Sequence, residues 1–219
     1  MKQFVVVGLG NFGLHLATRL SEKGHDVMAI DIDQAKVQEI KDRVSRAVVA
    51  DATDQKVART LGLKDMDAAV ICIGTEMGQS ILATLTMKDI GVKRVLAMAI
   101  SEAHGRILEK VGASQIFFPE RDLAISMAER LHNPNILEYL PLIEGYRIIE
   151  AVPPEEFVGR SLRDLDLINR FGIQVIAIKE KEKGELILVP SARSVIKMDD
   201  TLILVGPEEA LDKLGTLKA

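Results

Sequence analysis

Gly8-Leu9-Gly10-Asn11-Phe12-Gly13 follows directly behind the apolar run Phe4-Val5-Val6-Val7, and Asp31 stands eighteen residues after Gly13. Glycines at this spacing between a strand and a helix do one kind of chemistry, the cradling of a phosphate. Gly8 gives the tight turn, Gly10 lets a pyrophosphate approach the backbone, and Gly13 lets the helix pack against the strand. A helix over Phe12 to Lys23 then offers its unpaired amides and the positive end of its dipole to the anion. A second strand, Asp26 to Ile30, ends on Asp31-Ile32-Asp33 and places a carboxylate where both ribose hydroxyls can donate to it. No Arg or Lys adjoins Asp31 in sequence to welcome a 2′-phosphate, so NADP is disfavoured and NAD, ATP, ADP and AMP stay open. The blander reading is that the glycines only make a tight turn and that Asp31 only caps a helix over Gln34 to Asp42.

The elements that must position these residues alternate. Beyond the second strand come a helix Gln34 to Asp42, a strand Ala47 to Ala50, a helix Asp54 to Leu61 and a strand Ala68 to Ile73. A helix Gly78 to Ile90, a strand Arg94 to Ala99, a helix Ala103 to Val111 and a strand Gln115 to Phe118 complete the series. This alternation predicts an α/β fold, a Rossmann-type doubly wound parallel sheet in the order 3-2-1-4-5-6, with its crevice at the carboxyl ends of strands 1 and 4. The candidate nucleotide site therefore gathers Gly8, Leu9, Gly10, Asn11, Phe12 and Gly13 with Asp31 and Ile32, then Asp51, Ala52 and Thr53, then Ile73, Gly74 and Thr75. Asp51 either accepts from an adenine amino group or a nearby amide, or caps the helix that follows.

Pro119 stops the sixth strand, and Glu120 to His132 reads as a connecting helix with Leu123, Ala124, Met127, Ala128 and Leu131 at helical spacing. That stripe packs either on its own sheet or against a second subunit through Leu123, Met127 and Leu131. Asn133-Pro134-Asn135 marks a boundary. The remainder predicts a smaller α+β domain: a strand Tyr146 to Val152, a helix Ser161 to Leu165, strands Gln174 to Lys179, Glu185 to Val189 and Thr201 to Val205, and a helix Pro207 to Leu214. Turns fall at Lys183-Gly184 and Met198-Asp199-Asp200. The division is 1–119 for the nucleotide domain, 120–134 for the connecting helix and 135–219 for the small domain.

Composition narrows the function classes. The 219 residues are 47% hydrophobic and 27% charged, as in an ordinary soluble protein. No apolar stretch reaches the roughly 18 to 20 residues that cross a bilayer, and Met1-Lys2-Gln3 runs into the first strand without a leader pattern, so a cytoplasmic location is expected. A net charge of −4 with dispersed basic residues argues against nucleic acid. The single cysteine, Cys72, lies in an apolar run and reads as core. A hydride-transfer enzyme needs an acid/base group. His15, His25, His104 and His132 form no constellation; His104 is the best placed of them, against the reading of a surface histidine. No phosphoryl-transfer loop, metal cluster, serine elbow or DNA-reading helix-turn-helix is found, and the small domain is too short for a dehydrogenase substrate domain. The nucleotide is read rather than consumed, with a small NAD-dependent oxidoreductase as the alternative.

The whole chain resembles the regulatory subunit of Ktr/Trk-type potassium uptake systems, an RCK (TrkA-N) domain followed by a TrkA-C domain. The resemblance rests on the glycine run with Asp31, on Val49-Ala50-Asp51-Ala52-Thr53-Asp54, Leu108-Glu109-Lys110-Val111-Gly112-Ala113 and Pro119-Glu120-Arg121-Asp122, and on Val158-Gly159-Arg160-Ser161-Leu162 and Asp199-Asp200-Thr201-Leu202. It implies a non-enzymatic sensor that dimerises through the RCK domain, assembles into an octameric ring, and docks on an integral membrane potassium-translocating subunit at the inner face of the membrane. It further implies a divalent cation between subunits at Glu120, which otherwise reads as a helix N-terminal carboxylate, and, in some relatives, a cyclic dinucleotide between small domains, with no contacts assigned to Ile168, Asn169 and Arg170. The positions of Asn11 and Met98 often carry basic residues in relatives that respond to ATP. Their neutrality here keeps NAD(H), ADP and AMP open beside ATP.

Overall fold

The computed structural model describes residues 1–132, 136–181 and 184–215. Two compact units are present, Met1–Arg121 and Asp122–Ala219. The first begins with β1 (Gln3–Val7), α1 (Asn11–Glu22), β2 (Asp26–Asp31), α2 (Gln34–Ile40), β3 (Arg46–Val49) and α3 (Gln55–Thr60). It continues with β4 (Ala68–Ile71), α4 (Met77–Ile90), β5 (Val95–Met98), α5 (Glu102–Lys110) and β6 (Gln115–Phe117). The strands are parallel and stand in the order β3-β2-β1-β4-β5-β6.

Successive side chains of β1 point to opposite faces, and both faces are covered, which is why the strand is apolar throughout rather than alternating. Val5 and Val7 join Met28, Ile30, Ala69 and Ile71 under α3, α4 and α5, where Ala58, Ala83, Met87 and Leu108 close one core. Val6 turns the other way, with Val27, Ala29 and Val70, under Ala17 of α1 and Val37 and Ile40 of α2. Each fully buried branched side chain of this kind contributes about 1.5–3 kcal/mol.

α6 (Pro119–His132) leaves the first unit and buries none of its residues. Beyond it lie β7 (Ile136–Ile143), β8 (Tyr146–Ala151), α7 (Leu162–Leu165), α8 (Leu167–Phe171), β9 (Gln174–Glu180), β10 (Glu185–Leu188), β11 (Thr201–Pro207) and α9 (Glu208–Gly215). Their antiparallel sheet runs β10-β9-β11-β8-β7 over a core of Ile149, Leu165, Ile173, Ile178, Ile196 and Leu202. Arg147, almost wholly buried on β8, gathers Glu129 of α6 at 3.4 Å together with Asp212 at 3.0 Å and Glu208 of α9.

Two elements were not anticipated from the sequence. β7 has the apolar run Ile-Leu-Glu-Tyr-Leu-Pro-Leu-Ile, without a period of two and with an internal proline; it is an edge strand, the position where a proline is tolerated, and its pairing with β8 shifts register twice. α8 follows α7 after a single left-handed residue, Asp166 at φ 48°; the expected helix Ser161 to Leu165 is α7 alone, and α8 is a second short helix beyond it. The Asn133-Pro134-Asn135 boundary and Lys183 of the Lys183-Gly184 turn lie outside the described residues, and the compact second unit begins earlier, at Asp122.

The glycines of the first turn separate by what surrounds them. A Cβ on Gly13 would fall 1.9 Å from the carbonyl oxygen of Gly8, whereas a Cβ on Gly10 would meet nothing within 4 Å. Gly13→Ala should therefore destabilise by about 1–3 kcal/mol or more as the helix is pushed off the strand, while Gly10→Ala should cost less than about 1 kcal/mol, the loss of a mild N-cap preference. Urea denaturation of the two variants checks this ranking; equal losses would contradict it.

Candidate nucleotide-binding site

The site is built at the carboxyl ends of β1 to β5. β1 delivers Gly8 at φ 93°, a conformation in which a side chain would be strained, and Gly8 donates its amide to the Ile30 carbonyl at 2.8 Å. Gly10 is the N-cap residue of α1 and supplies no capping side chain, so the first amides of this twelve-residue helix have no side-chain partner there. The open space at Gly10 and these uncapped amides fit the phosphates of a nucleotide: the glycine leaves room for backbone approach, and the helix end supplies donors and a favourable dipole. Asn11 and Phe12 are exposed on the first turn, and the Phe12 ring lies 5.3 Å from that of Phe117.

Asp31 is held in place from two sides. Oδ2 accepts the Leu9 amide at 2.6 Å and Oδ1 accepts the Asp33 amide at 2.9 Å, with the side chain only 8% exposed. A carboxylate has about four acceptor positions, so two remain for ribose hydroxyls. Asp33, not Asp31, caps α2 through the Ala35 amide at 2.8 Å. Sequence adjacency also concealed a cation. Lys36, five residues on, returns over the strand end and brings Nζ to 3.8 Å from Asp31 Oδ2. The signal was available, because an N-cap at Asp33 puts Lys36 at the third helical position, on the turn that faces back toward the cap.

The β3 loop supplies Asp51, Ala52 and Thr53. Asp51 Oδ1 accepts both the amide and the hydroxyl of Thr53, at 2.9 and 2.7 Å, and the cap of α3 is Asp54, which resolves the choice left open for Asp51 against a capping role. The Thr53 carbonyl accepts the Thr86 hydroxyl at 2.9 Å, tying this loop to α4. At the end of β4, Ile73 and Gly74 are half-buried and Thr75 is exposed; a Cβ on Gly74 would come within 2.7 Å of the Met98 methyl, so Met98 lies over that glycine. Ile32 is 74% exposed beside Asp31, whereas Leu9 and Ala52 bury their side chains in the two cores and offer a ligand only backbone.

The remaining candidates are placed as follows. His15 and His132 are exposed, and His25 stacks edge-on against Phe4 at 5.2 Å. His104 is not a surface histidine. It is fully buried on α5, its Nδ1 accepts the Ile100 amide at 3.4 Å, and its Nε2 has no hydrogen-bond partner among the described residues. Burial lowers its pKa. Cys72 is buried, and burial pushes its thiol up to about 12. Glu120 is exposed at the start of α6, and Leu123, Met127 and Leu131 are all exposed on that helix. Among the described residues no three of His, Cys, Asp and Glu assemble as a metal site, and no helix is long and apolar enough to cross a membrane.

The lowered pKa of His104 makes a stability prediction. The unfolded chain takes up this proton near pH 6.5 and the folded chain only below that, so stability is full above about 6.5 and declines as the pH falls through that value. Thermal melts at about pH 7.5 and about pH 5.5 should show a larger loss for the wild type than for His104→Gln. Equal losses would contradict the burial of a neutral imidazole.

The TrkA-N domain family matches residues 4–119 and the TrkA-C domain family matches residues 146–218. The chain is 40% identical to the Ktr system potassium uptake protein C of Bacillus subtilis (strain 168) over 205 residues, 94% of this chain and 92% of the relative. It is 38% identical to the Ktr system potassium uptake protein A of Vibrio alginolyticus over 217 residues, 99% and 98% of the two chains. Among solved structures, the GsuK channel bound to NAD superposes with a TM-score of 0.66 at 16% identity, covering all of this chain, which spans 40% of that channel's length. That likeness establishes a shared fold. The chain belongs to the TrkA-N/TrkA-C family that includes the Ktr system potassium uptake proteins.

Proposed function

We propose that the chain is a non-enzymatic regulatory subunit that reads an adenine nucleotide at the ends of the parallel strands and thereby controls a membrane potassium-translocating partner. One observation carries the nucleotide half of this reading: open space at Gly10 on the uncapped end of α1, with acceptor capacity left on Asp31 at the end of the neighbouring strand. Kinship over nearly the whole chain with Ktr system potassium uptake proteins supports the transport half, and it gives the oxidoreductase alternative no support. NAD, bound by a channel of the same fold, is one candidate ligand beside ATP, ADP and AMP.

In this reading residues 1–119 form the nucleotide domain, 120–134 the connecting helix and 135–219 the C-terminal domain. The diphosphate sits on Gly8 to Gly13, the ribose on Asp31 and Ile32, the adenine against Asp51 to Thr53, and Ile73, Gly74, Thr75 and Met98 close the far wall. Leu123, Met127 and Leu131 form a dimer seam, and dimers assemble into an octameric ring on the cytoplasmic face of the membrane. Glu120 contributes to a divalent cation between subunits, and a cyclic dinucleotide is a further ligand between C-terminal domains. Two nucleotides that bind the same site can have opposite effects, because a ligand biases a two-state ring only by its differential affinity for the two shapes. Equivalent sites around the ring add their biases.

The test uses Gly10→Val, which the open space lets fold but which fills the phosphate approach. Calorimetry should show NAD or ADP weakened by at least about tenfold, and potassium flux through the partner reconstituted in liposomes should lose its response to nucleotide. Unchanged affinity would remove the assigned site, and flux indifferent to nucleotide in the wild type would remove the regulatory role.

A further inference from the structure

The ribose edge of the crevice holds two opposite charges, and the reading of the glycine run as a nucleotide site, on which this inference rests, uses only one of them. Asp31 is 8% exposed and fixed by two backbone amides, so its carboxylate cannot withdraw from a ligand. Lys36 is 44% exposed, and its Nζ lies 3.8 Å from Asp31 Oδ2, on the same oxygen that accepts the Leu9 amide of the glycine loop. The lysine therefore stands beside the carboxylate that would meet the ribose, on a surface-exposed stem that can follow a ligand.

We propose that Lys36 is a specificity-determining residue for the ribose 2′ position, forming with Asp31 a charge-balanced clamp that takes a free 2′-hydroxyl and also lowers the barrier to a 2′-phosphate. A ribose hydroxyl both donates and accepts. Asp31 supplies only acceptors and Lys36 only donors, so the two together satisfy a hydroxyl in both senses, which a carboxylate alone does not. A 2′-phosphate meets the opposite balance. Near an unpaired, immobile carboxylate its charge is repelled, but an ammonium within 4 Å of that carboxylate offsets the repulsion and gives the phosphate a charge-assisted donor. Asp33, exposed, adds a further negative charge, which the hydrogen bond its Oδ1 accepts from the Ala35 amide does not neutralise; the ammonium in contact is that of Lys36, with Asp31. The preference for NAD over NADP, which Asp31 alone would make steep, is thus moderated by Lys36.

The experiment measures NAD by calorimetry and NADP by displacement of NAD, at low ionic strength, for the wild type, Lys36→Met, Lys36→Arg and the remote surface variant Lys41→Met. Lys36→Met keeps the length of the side chain and removes its charge. It should weaken NADP by at least about tenfold while weakening NAD by no more than about threefold, so that the ratio of the two dissociation constants widens. Lys36→Arg and Lys41→Met should hold the wild-type ratio within about threefold, and added salt should shrink the difference between Lys36→Met and the wild type. A ratio in Lys36→Met within about twofold of the wild type, with NAD still bound, overturns the inference and leaves the nucleotide site standing. NADP that fails to displace NAD from the wild type even at about millimolar concentration also overturns it. A wild type that binds neither dinucleotide nor any adenine mononucleotide overturns the site and this inference together.

Discussion

The first helix cannot sit where it does unless one carbonyl-to-helix contact is closer than any side chain permits. The position where a Cβ of Gly13 would stand is 1.9 Å from the Gly8 carbonyl oxygen, and a Cβ on Gly8 would lie 3.0 Å from the Cys72 backbone. Gly13 sets the distance between α1 and the end of β1, and Gly8 the approach of that end to the chain just beyond β4. Because Val6 and Ala17 share one core, the apolar contacts on that face hold the helix at the distance the glycines allow. The amides at the N-terminus of α1 have no capping side chain and Gly10 is free of packing, so in the proposed reading this is where a ligand's phosphates approach. Structure and recognition thus divide the three glycines between them.

Asp31 performs both kinds of work at once. Its hydrogen bonds to the Leu9 and Asp33 amides join the glycine loop to the end of β2, and in the proposed reading its remaining acceptor positions take the ribose. In the proposed reading a ligand that engages Asp31 would pull on the group that shapes the glycine loop; the Thr86–Thr53 hydrogen bond connects the next loop to α4. Coupling of this sort needs no long-range wire; it needs two arrangements of a loop with different affinities for the ligand. The exposed Leu123, Met127 and Leu131 on α6 are where such a difference would be passed to another subunit in the proposed ring.

Much of this was legible in the sequence for a physical reason. A parallel sheet covered on both faces needs continuous apolar strands, and helices between them must repeat at helical spacing, so six strands and their order could be read from Phe4 to Phe118. The glycine spacing is equally local. What escaped depends on the return path of the chain. Lys36 reaches Asp31 because a helix turns back over a strand end, His104 is buried because of what packs on α5, and the cap of α3 falls on Asp54 rather than Asp51 by three residues of loop geometry. β7 escaped because an edge strand with a proline has neither of the periodicities that announce a strand or a helix.

The central claim is that the N-terminal amides of α1 hold a nucleotide's phosphates, and amide hydrogen exchange tests it most directly. Leu9 is already bonded to Asp31, while Asn11, Phe12 and Gly13 occupy the first turn, whose amides lack carbonyl partners within the helix. Saturation with NAD or ADP is predicted to slow exchange at those first-turn amides, with little change in the central strand β1, which is buried and paired on both sides. Binding that left the exchange of residues 11–13 unaltered would place the ligand elsewhere and contradict the account.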